Sequence, residues 1–146
     1  MSLVSVDTNI LVHASNSAST DHARARAFVA ELGRRRDIVL CELMLVELYL
    51  KLRNERIFPN PLSAEKAAAV CGAYRNNRAW RLVEVAPVMD DVWRFAATPG
   101  FAFRRIVDAR LALTLRHAGV TDFATANLRD FQDLGFARVF NPLSPG

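Results

Sequence analysis

Leu3-Val4-Ser5-Val6-Asp7-Thr8-Asn9-Ile10-Leu11-Val12 is the stretch of the chain that decides the fold. It begins with a short run rich in β-branched residues, continues with one carboxylate and two small polar residues, and becomes apolar again at Ile10. This order predicts a buried strand that ends before Asp7 and passes into a helix near Asn9. Open α/β sheets present charged groups in this way at the carboxyl ends of their strands, where such sheets bind ligands.

The rest of the chain alternates in the same manner. Apolar runs predict strands at 38–40, 80–85, 120–124 and 137–140, and helical patterns lie at about 21–33, 42–53, 63–74, 87–97 and 104–119. Short apolar strands separated by helices indicate a parallel sheet that is covered on both faces. We therefore expect an α/β fold of three layers, with four to five short parallel strands flanked by helices. No linker or repeat divides residues 1–146, which predicts a single domain.

Composition narrows the class of protein further. Hydrophobic residues make up 51% of the chain, which indicates a large core and some apolar surface left for self-association. No signal peptide or membrane-spanning stretch is evident, and the two cysteines lack metal-site spacing, so we expect a cytoplasmic protein. The net charge of +4 comes almost entirely from arginine, which suits a phosphate partner without requiring one.

Two arginine clusters are candidate contacts for phosphate groups. One follows the helix that ends near Gly33, and the other begins the helix at 104–119; the clusters are Arg34, Arg35 and Arg36, and Arg104 and Arg105. A solvated helix end is the commoner explanation of such a cluster, and the sequence leaves both explanations open.

Acidic residues occur at three places where a structural explanation competes with a functional one. Asp7 or Thr8 can simply cap the helix that follows. Glu47 lies in the middle of a helix that is apolar nearly all round, where a charge is costly unless compensated, although it can pair with Lys51 one turn later. Asp108 lies in the first turn of its helix, where the helix dipole favours an anion.

A polar segment, Thr125-Ala126-Asn127-Leu128-Arg129-Asp130, follows the fourth predicted strand. If that strand neighbours the first one, Asp7, Asp108 and either Asn127 or Asp130 converge, and Glu47 can join them. Several carboxylates in one cleft need a cation to stay ionised, and oxygen ligands favour Mg²⁺ or Mn²⁺. Metal-assisted hydrolysis of a phosphodiester is chemistry that such a set supports by itself.

These residues also carry a resemblance to a known family. The segments at 6–12, 46–48, 108–112 and 125–131 resemble, in order, the four motifs of PIN-domain ribonucleases, and more narrowly of VapC toxins from toxin–antitoxin pairs. The resemblance implies a PIN-like fold and an endoribonuclease that acts on RNA, with Mg²⁺ held chiefly by Asp7 and Asp108. It also implies a VapB-like antitoxin partner and, with the apolar excess, a homodimer.

The resemblance assigns roles to the remaining polar residues as well. Glu47 would complete the acidic pocket, and Thr8 and Thr125 would orient the acids through hydrogen bonds. Asn9 would form part of the turn that holds Asp7. Many relatives carry an aspartate two residues after the threonine, where this chain has Asn127, so either Asn127 or Asp130 fills the fourth position.

Two other functions fit parts of the sequence. One is a catalytically weak or inactive protein of the same fold that binds RNA or a partner through its arginines, and Asn127 is its best support. The other is a phosphatase with Asp7 as nucleophile. That class usually has a second acid two residues later, where this chain has Asn9.

Overall fold

A computed structural model describes residues 2–84 and 86–144. The strands are β1 (Leu3–Val6), β2 (Val39–Cys41), β3 (Arg81–Val83), β4 (Val120–Ala124) and β5 (Arg138–Phe140). The helices are α1 (Thr8–Ser15), α2 (His22–Leu32), α3 (Glu42–Leu52), α4 (Ala64–Arg75), α5 (Met89–Ala96), α6 (Arg105–His117) and α7 (Leu128–Phe131). The predicted elements are all present, and α7 is an addition within the segment predicted as a loop. The predicted third strand is shorter than expected, and its last residue, Val85, lies outside the described residues.

The strands pair in parallel, as predicted, but they do not form one continuous sheet. β1, β4 and β5 form a three-stranded sheet in the order β1-β4-β5, and β2 pairs with β3 in a second sheet. A single bridge between Val4 and Ile38 connects the two, with the Val4 N–H donating to the Asp37 carbonyl at 2.8 Å. β2, which begins directly after this bridge, forms its ladder with β3.

The order of the strands creates a switch point between β1 and β4. From β1 the chain proceeds to β2 and β3 on one side, and it returns to β4 and β5 on the other. Val6 pairs with Ala124, and the Asp7 N–H donates to the Ala124 carbonyl at 2.7 Å. The carboxyl ends of β1 and β4 therefore lie side by side, which is where open α/β sheets bind ligands.

The spacing of Val107, Leu111 and Leu115 predicts the inner stripe of α6, and the structure buries the two leucines but not Val107. Ala109 and Ala112 are fully buried together with Leu111 and Leu115, whereas Val107 is 55% exposed. The prediction that Val107 belongs to the inner stripe is therefore wrong. The small alanine side chains occupy the face that packs most closely, and Val107 is left on the outside, one residue before Asp108.

Apolar side chains also remain exposed on α3. Val46 and Leu50, one helical turn apart, are 56% and 62% exposed, while Met44 and Leu48 on the inner side are fully buried. Helix α3, which is apolar nearly all round in the sequence, thus has one apolar face that this chain leaves exposed. No helix in the described ranges has both the length and the apolarity to cross a bilayer.

The close packing of α6 predicts a specific sensitivity to side-chain size. Ala112→Leu should lower the free energy of unfolding by about 1–3 kcal/mol, because a fully buried site has no room for the added carbons. The measurement is urea denaturation. Ala73→Leu, at an exposed position of α4, is the matched control and should change stability by less than about 0.5 kcal/mol. Equal effects of the two changes would contradict the packing described for α6.

Candidate active site

Asp7 is a buried carboxylate at the switch point. It follows β1 directly, occupies the N-cap position of α1, and is only 5% exposed. Its carboxylate makes no capping hydrogen bond to α1 among the described residues; instead, it accepts a hydrogen bond from the Thr125 hydroxyl at 2.7 Å. Burial raises the pKa of Asp7, and the Thr125 hydrogen bond and the charge of Lys51 oppose that rise. The backbone N–H groups of Asn9 and Thr8 also lower its pKa, so the carboxylate faces both Thr125 and the start of α1.

Thr125 connects the ends of the two central strands. It is fully buried immediately after β4, and its hydroxyl both donates to Asp7 and accepts from the Asn127 N–H at 2.9 Å. One side chain therefore fixes the orientation of Asp7 and the start of the turn that leads into α7. The Thr125 N–H donates to the Phe140 carbonyl at 2.9 Å, which ties this turn to β5 as well.

Glu47 approaches the same region from α3. Burial raises its pKa, and the negative charge of Asp7 raises it further, whereas the charge of Lys51 and the nearby Thr8 hydroxyl lower it. The influence of Asp7 shows that the two carboxylates share one electrostatic environment. Thr8 itself is fully buried, and its hydroxyl donates to the Met44 carbonyl at 3.4 Å, which connects the start of α1 to α3.

Asp108 has the most perturbed carboxyl group of the site. Burial raises its pKa to about 6, and the charges of Asp7, Asp130 and Glu47 add to the rise, while Arg105 lowers it. A carboxylate that merely benefits from the dipole of a helix start would show a lowered pKa. The raised value therefore indicates that burial and repulsion by other acids outweigh any stabilisation by α6.

Two residues are candidates for the fourth polar position of the site, beside Asp7, Glu47 and Asp108. Asp130, in α7, is half-buried and contributes to the electrostatic environment of Asp108. Asn127 is exposed at the start of α7, and its backbone carbonyl accepts from the Asp130 N–H at 3.1 Å. Asp130 thus supplies charge to the cleft, whereas Asn127 contributes backbone hydrogen bonds that shape the turn.

The carboxylate oxygens of the site suit a hard cation such as Mg²⁺, but they do not surround a central point. Among residues 2–84 and 86–144, no group of three or more His, Cys, Asp or Glu side chains lies close enough together to hold a metal ion as it stands. The charge of Asp7 nevertheless raises the pKa of both Glu47 and Asp108, so these two carboxyl groups face the electrostatic field of Asp7. Mg²⁺ is commonly held by one or two carboxylates and keeps several waters, so this oxygen-only set fits such an ion.

The arginines predicted as RNA contacts differ in how they are engaged. Arg34, Arg36 and Arg104 are exposed. Arg35 instead pairs with Asp37 beside it in the chain. Arg105 pairs with Asp133, donates to the Asp130 carbonyl at 3.2 Å, and lies over the Phe95 and Phe101 rings. The last two arginines are thus occupied within the chain.

Sequence reasoning missed the roles that two cations have in this region. Lys51 donates from Nζ to the Asn9 side-chain oxygen at 2.6 Å, although the sequence suggested only a pair with Glu47. Arg105 connects α6 to α7 through the contacts described above. The i, i+4 spacing of Glu47 and Lys51 signalled that Lys51 lies near the site, but no sequence signal identified Asn9 as its partner.

Comparison with known proteins places this chain in a family. A family model described as PIN domain matches residues 4–137. Ribonuclease VapC24 of Mycobacterium tuberculosis, in strains CDC 1551 / Oshkosh and H37Rv, is 51% identical over 142 residues, which cover 97% of this chain and 98% of the relative.

Solved structures show the same fold at lower identity. M. tuberculosis VapC20, a sarcin-ricin loop cleaving toxin, has a TM-score of 0.68 at 20% identity, covering 91% of this chain and 95% of VapC20. FitAcB from Neisseria gonorrhoeae has a TM-score of 0.67 at 20% identity, covering 98% of this chain and 100% of that one. The match over residues 4–137 and the identity to VapC24 along nearly the whole chain show that this protein belongs to the PIN-domain family and, within it, resembles the VapC proteins most specifically.

Proposed function

We propose that this protein is a Mg²⁺-dependent endoribonuclease and the toxin of a toxin–antitoxin pair. The observation that carries the proposal is the convergence of Asp7, Glu47 and Asp108, with Asp130, at the switch point between β1 and β4. Burial raises the pKa of all three, and the charge of Asp7 adds to the rise for Glu47, as the charges of Asp7, Asp130 and Glu47 do for Asp108. Perturbed groups in one cleft are characteristic of functional sites.

The relatives support RNA as the substrate. VapC24 is named a ribonuclease, and VapC20 is described as a toxin that cleaves the sarcin-ricin loop. The oxygen donors of the site suit hydrolysis by an activated water. In the proposed reaction, water attacks the phosphorus and gives up one proton, the bond to the leaving ribose oxygen breaks, and that oxygen takes up one proton in return.

Asp7 and Asp108 are the residues that would hold Mg²⁺, with Mn²⁺ as a possible substitute. When bound, the ion supplies positive charge against the phosphate and lowers the pKa of water for the attack. Thr125 keeps the Asp7 carboxylate in one orientation, and Glu47 completes the negative pocket from α3. The charge that Asp130 directs at Asp108 supports Asp130 as the fourth acid, with Asn127 shaping the turn.

Exposed arginines support contact with the phosphates that flank the cut bond. Arg104 precedes Asp108 by four residues at the start of α6, and its guanidinium lies over the exposed Phe103 ring. We assign Arg104 to RNA contact, together with Arg34 and Arg36. Arg35 and Arg105 are held in ion pairs and serve the fold instead.

An antitoxin is proposed as the partner that covers the acidic side. A pocket of about 290 Å³ lies between α3, α5 and α6, with Glu47 and Arg110 among otherwise apolar lining residues such as Leu43 and Ile106. An antitoxin segment with apolar side chains and a cation facing Glu47 fits this pocket. Its position beside the acids explains how binding there would block RNA.

A homodimer is proposed through the outer faces of α3 and α5. Leu50 on α3 and Trp93 on α5 are 62% and 61% exposed and do not line the proposed antitoxin pocket, whereas Val46 and Met89, four residues before each of them, do. Exposed apolar groups at helical spacing on neighbouring helices favour self-association over a solvated surface.

The second candidate function is an RNA- or partner-binding protein without catalysis. The exposed amide Asn127, where many relatives have an acid, favours it. The two functions differ in cation binding: absence of Mg²⁺ and Mn²⁺ binding by calorimetry at neutral pH would support the binding protein.

Loss of RNA cleavage in single variants tests the proposed site. Asp7→Asn and Asp108→Asn should each reduce cleavage of total RNA with Mg²⁺ by more than about 100-fold, while Thr125→Val should cost about 10- to 100-fold, the range for an outer partner of a metal ligand. The readout is mapping of cut ends against the wild type. Glu65→Gln, an exposed acid in α4, is the control and should cleave normally. Metal-dependent cleavage that survives both aspartate changes would refute the assignment.

The raised pKa of Asp108 predicts an unusual pH dependence of stability. Its folded-state pKa of about 6 lies above the ordinary value of 3.8, so the folded protein holds this proton more tightly than the unfolded chain does. In EDTA, the melting temperature should therefore rise by a few degrees as the pH falls from about 7.5 to about 5.5. Asp7 and Glu47 shift in the same direction and reinforce the trend.

The control for this experiment is the Asp108→Asn variant. At pH 7.5 in EDTA it should melt a few degrees above the wild type, because it removes a buried charge, and it should gain less from saturating Mg²⁺. A wild-type protein that loses stability over the same acidification would contradict the repulsion among the acids.

The proposed dimer is tested by sedimentation. Leu50→Ser combined with Trp93→Ser should convert the dimer into a monomer, because both side chains are more than half exposed on the proposed interface. Phe103→Ser is the control: Phe103 is 79% exposed but lies outside α3 and α5, and its change should leave the dimer intact. A wild-type monomer at micromolar concentration would refute the dimer.

A further inference from the structure

Lys51 is a cation on the wall of the acidic cleft. It lies on α3, one turn after Glu47, and its ammonium donates to the Asn9 side-chain oxygen at 2.6 Å. Asn9 lies in the first turn of α1, two residues after Asp7. The contact therefore places the positive charge of Lys51 beside the turn that follows Asp7.

The charge of Lys51 acts on two of the acids. It lowers the pKa of Asp7 and of Glu47, in both cases against the rise that burial causes. On the opposite side of the cleft, Arg105 does the same for Asp108. The acidic cleft thus has one cation on each flank.

The two cations differ in how firmly they are held. The Arg105 guanidinium pairs with Asp133 and the Asp130 carbonyl and lies over two aromatic rings. Lys51 is held by a neutral amide, and the ion pairs found among the described residues do not include it. Its charge is therefore not cancelled by a direct ion pair, and its flexible stem allows the ammonium to move.

We propose that Lys51 is the resident counterion of the Asp7–Glu47 side of the cleft, where it stabilises the metal-free protein and weakens the binding of a divalent cation. The first effect follows because Lys51 offsets two partly buried negative charges. The second follows because an incoming dication meets a positive charge already beside its ligands. The effect on cation binding rests on the proposed metal-dependent function, whereas the effect on the metal-free protein does not.

The chain offers a matched pair of variants, since Lys51 and Lys66 are its only lysines. In EDTA at pH 7.5, Lys51→Met should lower the melting temperature by about 3 °C. By calorimetry, the same variant should bind Mg²⁺ about three- to tenfold more tightly than the wild type. Lys66→Met, at an exposed position of α4, should change neither quantity. A purely structural role for Lys51 would weaken Mg²⁺ binding, so the direction of this change separates the two roles.

Two further variants isolate the charge. Lys51→Arg keeps the charge and should retain wild-type stability and Mg²⁺ affinity, whereas Lys51→Gln keeps a donor for Asn9 but should behave like Lys51→Met. In a double-mutant cycle with Glu47→Gln, the stability loss caused by Lys51→Met should shrink, because one of the two offset charges is gone.

The outcomes distinguish this inference from the proposed function. If the wild type binds Mg²⁺ and Lys51→Met binds it equally or less tightly, the counterion role is refuted while the metal site stands. If no variant binds Mg²⁺, the metal-dependent function is refuted, and the melting temperatures in EDTA decide the counterion role. If Lys51→Met does not fold, the same comparison made with Lys51→Gln gives the decision, and equal stability of Lys51→Gln and the wild type would refute the role.

Discussion

The structure depends on one hydrogen bond, from the Thr125 hydroxyl to the Asp7 carboxylate, across the carboxyl ends of β1 and β4. Both residues are buried, and a buried carboxylate without a partner would cost several kcal/mol. The bond can form only because β1 and β4 are neighbours in register, with Val6 opposite Ala124. Asp7 follows β1 and Thr125 follows β4, so their hydrogen bond requires these two distant strands to be neighbours. The same arrangement brings α6 and α7 to this edge of the sheet.

The order of elements and the convergence at this edge could be predicted from the sequence, because periodicity, β-branched runs and turn residues are local signals. The division of the sheet could not be predicted, since local signals do not show that Val39–Cys41 forms a ladder with β3 while only Ile38 bridges to β1. The outward position of Val107 was also missed, because its spacing with Leu111 and Leu115 does not show which turns of α6 are covered. Lys51 was assigned to Glu47 because i, i+4 pairs are visible in a sequence, whereas a contact with Asn9 in another helix is not.

The site carries a cost in stability that its surroundings reduce only in part. Burial raises the pKa of Asp7, Glu47 and Asp108, so each charged form is less stable in the folded protein than in the unfolded chain. A structure selected for stability alone would replace such acids with apolar residues, which often stabilise buried charged positions. Retention of three acids in one cleft is therefore better explained by a ligand than by the fold.

The contacts of Arg105 and of Lys51 explain why one side of the cleft has an arginine and the other a lysine. Arg105 connects α6 to α7 by contacting a carboxylate, a carbonyl and two rings at once, and only a planar guanidinium with several fixed donors meets these partners together. Lys51 meets a single amide oxygen, and a compact ammonium on a flexible stem suffices. The rigid cation thus fixes the position of the turn that carries Asp130, while the mobile one can adjust to the charge of the cleft.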